Sequence, residues 1–293
     1  MKLTITAYST ALFSTWYFIE ELGLLLDAGD GVMSALLQKS RKIEHVFITH
    51  ADRDHLGGLL MLNTLNAREG GFPKIFYPKD CGSFSALEQF TKKFDAQVEQ
   101  TTWTPLAADT SVEIKKNIFV QTIKNGHVKS ISGGDKSFGF QLYEIKEKLK
   151  PEYLKLSGNE IKALKADLGI ENMTTKHRNN ILTYSGDTPI EDFNKWKNNK
   201  ILIHEATFID KAEQSNLKVH KNKHSNLEEV LEAVANSDIE TLILGHFSSR
   251  YSKEEIEEKT KFFCQTFGIK IPVYCIFPNQ IHRDLLNETP VWG

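Results

Sequence analysis

Short apolar runs rich in β-branched and aromatic residues recur along the chain, and a turn or a helical pattern follows each of them. The runs read KLTITAY, TWYFIE, LGLLLDAG, HVFITH, KIFYP, NILTYSGD, KILIHEA, TLILGH and VYCIF. Helical patterns cover residues 31–39, 56–66, 83–94, 226–236 and 253–264, and the last has the capping-box spacing of Ser252 and Glu255. Strands that alternate with helices predict an α/β layered fold.

Several of these predicted strands end in residues that bind metals or titrate. The strand ends carry Asp27, His50, Asp187, the pair His204–Glu205, and His246. Loops at the carboxyl ends of strands are where α/β proteins usually place their chemistry. The sequence therefore predicts that these side chains converge on one rim of the molecule.

Composition excludes several classes of protein. The 293 residues are 40% hydrophobic and 25% charged with a net charge of -2, so a globular protein without a general basic field is expected. The three cysteines have no C-x-x-C spacing, which argues against a disulfide framework and a cysteine zinc site. Neither a leader pattern nor a long apolar run is present, so we expect a cytoplasmic protein with no membrane contact.

The stretch FITHADRDHLGG places His50, Asp52, Asp54 and His55 within six positions, directly after an apolar run. A catalytic metal needs several ligands on a rigid frame and an open position. These four donors are too many for a single metal ion that keeps an open coordination position. The pattern favours two metals.

The same stretch resembles the His-X-His-X-Asp-His signature of the metallo-β-lactamase fold, with Asp52 where the second histidine usually stands. The motifs DAGDGV, NGHVKS, YSGDT, HEATF, KHSN and GHFSSRY then follow in the order found in ribonuclease Z and its relatives. The resemblance implies an α/β fold of the four-layer αββα type, in which two β-sheets are flanked by helices. It also implies one domain over 1–293, with halves 1–145 and 181–293 joined by a lysine-rich helical insertion, 146–180.

The resemblance also implies a ligand set for two divalent metal ions, with zinc expected and manganese or iron as alternatives. His50, Asp52 and His127 would hold one ion, Asp54, His55 and His246 the other, and Asp187 would bridge them. Such a site would cleave a phosphodiester by a metal-bound hydroxide. Asp54 is expected to act as general base as well as ligand, with ligation alone as the alternative.

The family pairs the glutamate of HEAT with the histidine of KHSN, here Glu205 and His224, as the source of the leaving-group proton. A neighbouring carboxylate raises the pKa of a histidine, whereas a helix start opposes its charge, and Ser225 and Glu228 have the spacing of such a start. The sequence leaves this balance open. Ser248, Ser249 and Arg250 could bind a phosphate, and a structural salt bridge for Arg250 is as probable.

Two features depart from the family pattern. Asp52 adds a negative charge, which favours manganese or iron beside zinc. The segment AYSTALFSTWYF lacks the proline and basic residues of the tRNA-binding loop, and 146–180 has seven lysines and one arginine against five acids, a balance of only +3. We therefore expect a phosphodiesterase resembling ribonuclease Z that cuts tRNA precursors at the 3′ trailer, with a cyclic-nucleotide or other small-phosphodiester enzyme as the alternative.

A non-catalytic nucleic-acid-binding module, or a scaffold that has lost its metals, is the remaining alternative. Because relatives are commonly homodimers, a homodimer is expected here. Four histidines match no motif and are expected on the surface or in loops: His45, His177, His220 and His282.

Overall fold

The computed structural model describes residues 1–66, 71–94, 98–130, 133–211 and 223–293. In this part of the chain the first half forms a six-stranded sheet in the order β1-β2-β3-β4-β5-β6. Strands β1 to β3 pair antiparallel, and β3 to β6 pair parallel. The strands are β1 Ile5–Thr10, β2 Ser14–Ile19, β3 Leu24–Leu26, β4 His45–Phe47, β5 Lys74–Pro78 and β6 Thr102–Leu106.

The rest of the described chain forms a seven-stranded sheet in the order β13-β12-β11-β10-β9-β8-β7. Strands β7 to β10 pair antiparallel, and β10 to β13 pair parallel. The strands are β7 Ser111–Lys115, β8 Ile118–Lys124, β9 Phe138–Leu149, β10 Thr174–Tyr184, β11 Ile201–Glu205, β12 Thr241–Gly245 and β13 Val273–Cys275.

The α-helices in the described residues are α1 Val32–Leu36, α2 Arg53–Leu56, α3 Leu59–Leu65, α4 Gly82–Phe94, α5 Gly158–Leu168, α6 Ile170–Met173, α7 Leu227–Val234 and α8 Lys253–Phe267. Short 3-10 helices lie at Glu20–Leu22, Leu37–Lys42, Pro151–Tyr153, Phe193–Trp196 and Leu285–Asn287. The predicted capping box of α8 is present, because the Ser252 side chain accepts from Glu255 N and Glu255 caps the Ser252 backbone. No helix in the described ranges is both long and apolar enough to cross a membrane.

Three buried clusters define the layers. The central cluster joins residues of both sheets, such as Phe47 and Leu26 with Phe140 and Ile203. A second cluster packs α1, α3 and α4 on the outer face of the first sheet, and a third packs α7 and α8 on the second. The predicted αββα arrangement of two sheets flanked by helices is therefore confirmed.

The lysine-rich segment differs from its prediction as a helical insertion. Its ends continue β9 and β10, which pair from Tyr184↔Phe140 out to Thr174↔Leu149, and only its tip contains the helices α5 and α6. The outer part of this hairpin is largely exposed, whereas its inner part is buried in the sheet. We call residues 144–179 the arm.

Other predictions need correction. Strands β6 to β9 were not predicted. The residues of β6 to β8 are partly exposed and give no continuous apolar run, and the buried start of β9 is interrupted by Gly139 and Gln141. Asn226 rather than Ser225 caps α7, since the Asn226 side chain accepts from Glu229 N. His45 is buried within β4, contrary to the prediction of a surface or loop position. His282 is buried but lies outside the helices and strands, and His177 is exposed on the arm; His220 lies outside the described residues.

Candidate metal centre

The carboxyl ends of parallel strands from both sheets meet at one rim, as the sequence predicted. His50 follows β4, Asp187 follows β10, Glu205 ends β11 and His246 follows β12. The short helix α2 returns Asp54 and His55 to the same point. All of these side chains are buried.

Asp187 lies at the middle of this group. Its Oδ2 atom is 3.3 Å from His55 Nε2, 3.3 Å from His246 Nε2 and 3.7 Å from His50 Nε2. Among the described residues, three sets of donors have ligand atoms within 4.8 Å of one another: His50 with His127 and Asp187, Asp54 with His55 and His246, and Asp187 with His224 and His246. The structure thus brings together six of the seven predicted ligands in two adjoining groups.

Hydrogen bonds to the Nδ1 atoms fix the orientation of the histidine rings. Thr49 Oγ1 contacts His50 Nδ1 at 2.9 Å, the Lys223 carbonyl contacts His127 Nδ1 at 3.0 Å, and Thr207 Oγ1 contacts His246 Nδ1 at 2.9 Å. The Nε2 atoms of His50 and His55 are buried, and no residue that the structure describes hydrogen-bonds to them. Because buried polar atoms are normally paired, these imidazoles and carboxylates fit divalent cations.

Asp27 supports the centre from behind, a role that the sequence did not predict. Its Oδ2 atom is 2.7 Å from His55 Nδ1 and accepts a hydrogen bond from Tyr184 Oη at 2.7 Å. Its Oδ1 atom accepts from Thr49 N at 2.7 Å. A carboxylate behind a histidine fixes the tautomer of the ring and makes it a better ligand. The signal in the sequence was the position of Asp27 at the end of LLLDAGD.

The carboxylates of the centre are held ionised. Burial opposes ionisation of Asp187 and Asp54, but contact with His246 and His55 holds the pKa of each carboxyl well below its usual range. Burial also lowers the pKa of His50, whereas His55 gains enough from Asp187 and Asp27 to raise its pKa despite burial. The resulting negative charge favours binding of cations.

Asp52 occupies the rim of this centre. Its Oδ2 atom is 3.5 Å from His50 Nε2 and 3.6 Å from His127 Nε2, yet its side chain is 61% exposed. Contact with His127 and His50 lowers the pKa of its carboxyl. Asp52 therefore contacts two of the candidate ligands, but it is not itself part of a buried donor set.

Glu205 and His224 form the second predicted pair. His224 Nδ1 is 3.1 Å from Glu205 Oε1, and His224 Nδ1 is also 3.9 Å from Asp187 Oδ2. Burial opposes the charge on His224, but the Glu205 carboxylate prevails and raises the pKa of His224 to about 9. The balance that the sequence left open is thus decided by Glu205.

Thr207 links this pair to the metal ligands. Its Oγ1 atom is 2.5 Å from Glu205 Oε2, 3.3 Å from His224 Nδ1 and 2.9 Å from His246 Nδ1. His204, in contrast, points away: its Nδ1 contacts the Glu205 carbonyl, and its ring packs near Phe193. His204 is therefore a core residue.

The remaining predicted residues lie outside the ligand groups. Arg250 is exposed and donates from Nε to Ser248 Oγ at 3.0 Å, and its guanidinium carbon lies 6.0 Å from the Phe208 ring centre. Ser249 is exposed beside it. The Phe208 and His224 rings are 6.4 Å apart, so this segment borders the centre on the side of His224.

Comparisons with known proteins agree with this geometry. Residues 24–148 match the family model of a beta-lactamase superfamily domain. The chloroplastic tRNase Z TRZ2 of Arabidopsis thaliana is 30% identical over 267 residues, which cover 87% of this chain and 70% of that protein. Ribonuclease Z of Methanocaldococcus jannaschii is 30% identical over 260 residues, covering 79% and 78%. The crystal structure of the human short-form tRNase Z is 17% identical with a TM-score of 0.60, covering 95% and 98% of the two chains.

The fold and the cluster of histidines and aspartates define a metal-dependent hydrolase of the β-lactamase superfamily. Within that superfamily, the chain belongs to the ribonuclease Z (tRNase Z) family.

Proposed function

We propose that this chain is a dinuclear metal-dependent phosphodiesterase that removes the 3′ trailer from tRNA precursors. The observation that carries the proposal is the position of Asp187. It belongs to the set of His50 and His127, its Oδ2 atom lies 3.3 Å from His55 Nε2 and His246 Nε2 of the other set, and the His224–Glu205 pair lies beside it. The relatives named tRNase Z and ribonuclease Z supply the substrate class.

The ligand assignment gives His50, Asp52 and His127 to one ion and Asp54, His55 and His246 to the other, with Asp187 between them. When bound, two zinc ions would supply Lewis-acid activation of water and of the phosphoryl oxygen. The chain's own contribution is to hold the imidazole rings in one orientation through Thr49, Thr207 and Asp27. Manganese and iron stay as alternatives because Asp52 makes one group more anionic.

His224 supplies the proton to the leaving oxygen. Its imidazolium donates Nδ1–H to Glu205, so the other proton, on Nε2, is the one that the departing ribose oxygen receives. Since the pKa of His224 is raised to about 9, the acid form prevails at neutral pH. Glu205 orients this acid and stabilises its charge.

Asp54 has two assigned roles, ligand and general base. Its Oδ2 atom accepts from Leu12 N at 3.1 Å and lies 3.3 Å from His246 Nε2 and 3.5 Å from His55 Nε2. The same carboxylate can therefore ligate and accept a proton from the attacking water, and ligation alone remains the alternative. Ser248, Ser249 and Arg250 are assigned to a substrate phosphate, with Arg250 supplying the charge.

A second candidate is the hydrolysis of a small phosphodiester such as a cyclic nucleotide. The supporting observation is the turn between β1 and β2, where Leu12 and Phe13 are 89% and 61% exposed in place of basic residues. An apolar turn adds little binding free energy for a polyanion such as RNA. A small nucleotide has few phosphates, so its binding does not require basic residues in this turn.

A side-by-side assay separates these candidates. Precursor tRNA, cyclic AMP and bis(nitrophenyl) phosphate are each offered with zinc and with manganese, and kcat/KM is measured. The proposal expects precise cleavage at the 3′ trailer with the highest kcat/KM on tRNA. Preference for cyclic AMP would support the second candidate, and no turnover of any substrate by metal-loaded protein would support a non-catalytic nucleic-acid-binding module.

A homodimer in the cytoplasm completes the proposal. Its support is the relationship to ribonuclease Z alone. Sedimentation of the purified chain tests the dimer directly, because a single species at twice the chain mass is expected.

A further inference from the structure

An aromatic cavity lies beside the turn that reaches the candidate metal centre. The cavity has a volume of about 320 Å³, and its lining includes Tyr8, Phe13, Trp16 and Ile281. The Tyr8 and Trp16 rings are stacked with centroids 6.5 Å apart. Phe13 and Ile281 are 61% and 41% exposed, so the cavity opens to solvent between two apolar side chains.

Three backbone N–H groups of this turn between β1 and β2 donate hydrogen bonds. Ala11 N donates to the Phe247 carbonyl at 3.1 Å, Leu12 N donates to Asp54 Oδ2 at 3.1 Å, and Phe13 N donates to the Thr10 carbonyl at 3.1 Å. Leu12 has a φ of 70°, a left-handed conformation that branched L-residues rarely adopt. These hydrogen bonds hold the backbone that carries Leu12 and Phe13 beside Asp54.

The turn links the cavity to the centre through two adjacent residues. Leu12 contacts a candidate metal ligand, and the next residue, Phe13, lines the cavity. Consecutive Cα atoms are about 3.8 Å apart, so Phe13 begins one residue from the backbone N–H that contacts Asp54. This adjacency points to a part of the substrate as the occupant.

The charge of the lining indicates which part of the substrate fits. No lysine or arginine is among the described residues that line the cavity, whereas Asp30 lies at its edge. A carboxylate repels phosphate but accepts hydrogen bonds from the amino groups of bases. Aromatic side chains stack on any nucleobase, because every base has a π-face.

We infer that this cavity is a subsite for the nucleobase of a nucleotide that flanks the scissile phosphate, with Phe13 as its stacking residue. The inference rests on the proposed function, because it requires a nucleotide substrate. It adds an apolar mode of recognition at the position where the sequence lacks the basic loop of authentic tRNA-processing relatives.

The test uses metal-loaded wild-type protein and the variants Phe13→Ala and Phe262→Ala. Phe262 is a matched control, because it is a similarly exposed phenylalanine, 57%, on α8, which covers the outer face of the second sheet. Cleavage is measured on an RNA substrate and on copies in which each nucleotide flanking the scissile phosphate is made abasic in turn. Phe13→Ala is expected to lower kcat/KM on intact RNA by about 10- to 100-fold, mainly through KM.

One abasic position should lower wild-type kcat/KM by a similar factor, and Phe13→Ala should add no further loss on that substrate. Phe262→Ala should behave like the wild type throughout. If the losses from Phe13→Ala and from every abasic position multiply instead, the cavity does not bind a base. If Phe13→Ala halves the mass in sedimentation while the cleavage pattern is unchanged, the cavity is an interface between two copies and the inference is overturned.

A binding measurement separates this inference from the proposed function. We titrate each variant into RNA that carries the fluorescent base aminopurine. The aminopurine stands at the position whose abasic form lowers cleavage, or at each flanking position in turn if nothing is cleaved. Stacking should quench its fluorescence with the wild type and with Phe262→Ala but not with Phe13→Ala. Quenching without any cleavage would refute the proposed nuclease and retain the subsite, and equal signals from all variants would refute the subsite.

Discussion

The backbone is in the left-handed region at two residues of the candidate centre, Asp27 with a φ of 56° and His246 with a φ of 61°. Such conformations are costly for non-glycine residues and persist where the surroundings fix them. Ser9 Oγ accepts from His246 N at 2.8 Å, and a Cβ at Gly245 would come within 2.2 Å of Tyr17 Oη. Close packing around β12 thus sets the direction of the His246 ring.

Replacement of Asp27 by asparagine tests the supporting carboxylate. Asparagine tolerates the left-handed backbone, so Asp27→Asn removes the charge behind His55 with little change in conformation. We expect metal affinity to fall about 10- to 100-fold, measured by competition with a chromophoric chelator. Asp109→Asn is the control, because exposed Asp109 has nearly the same φ, 57°, in the turn before β7. Equal affinity in both variants would contradict the role of Asp27.

Removal of the proposed acid should depend on the leaving group. His224→Ala is expected to slow RNA cleavage about 10²- to 10⁴-fold, but to leave bis(nitrophenyl) phosphate nearly unaffected because nitrophenolate departs without a proton. The pKa of His224 is raised to about 9, so wild-type RNA cleavage should decline as the pH rises beyond that value while the acid form is lost. Kinetics with both substrates check this, and exposed His177→Ala is the control. If His224→Ala slows cleavage of the two substrates equally, His224 is not the proton donor.

The sequence could predict which residues meet at the candidate centre, because each follows a short strand or lies in a motif of fixed order. Asp27, Thr49 and Thr207 could not be assigned in the same way, since their roles depend on contacts across the fold. The contact between Asp27 and Tyr184, for example, joins residues of the two sheets. Contacts of this kind leave no pattern in the local sequence.

At the level of elements, the apolar runs predicted the buried parallel strands well, whereas β6 to β9 were missed. Continuous apolar runs are typical of strands buried on both faces, but β7 alternates exposed and partly buried residues. The arm was misjudged for a related reason: the outer parts of β9 and β10 are exposed, so lysines replace apolar residues there. Cross-strand pairing, not composition, makes these segments strands.

The register of the arm shows where its positive charge lies. Lys146 and Lys148 alternate along β9 and therefore share one face, and Lys150 directly follows the strand. Lys146 pairs with His177 and Lys148 pairs with Thr175 across the strands, while Lys146 Nζ also lies 3.2 Å from Glu144 Oε2. The helical tip, 151–173, carries three lysines against four acids. A polyanion would therefore meet the strands of the arm rather than its tip.

Charge removal on the arm tests this assignment. The variant with Lys146, Lys148 and Lys150 changed to glutamine should weaken tRNA cleavage through KM and reduce the salt dependence of binding by about one unit of slope for each lost phosphate contact. Cleavage of bis(nitrophenyl) phosphate should be unchanged. The control changes Lys155, Lys162 and Lys165 in the tip, which removes the same charge. Equal effects of the two variants on tRNA would show that only net charge matters.

The whole molecule is two layered halves that meet at one rim. The first sheet supplies His50, Asp54 and His55, the second supplies Asp187 and His246, and a loop of the second supplies His127. The sequence predicted this convergence because strand ends in an α/β fold share an edge. It could not predict distances, which depend on how the two sheets pack across the central cluster.

The central claim is that Asp187 joins two metal sites contributed by both halves. The most direct measurement is the metal content of chelator-treated protein that has been reloaded with zinc and freed of excess ion, compared with Asp187→Ala. We predict two ions per chain in the wild type and fewer than one in Asp187→Ala, because Asp187 belongs to the group of His50 and His127 and its Oδ2 atom lies 3.3 Å from His55 Nε2 and His246 Nε2 of the other group. Fewer than one ion per chain in the wild type, or two retained in Asp187→Ala, would contradict the account.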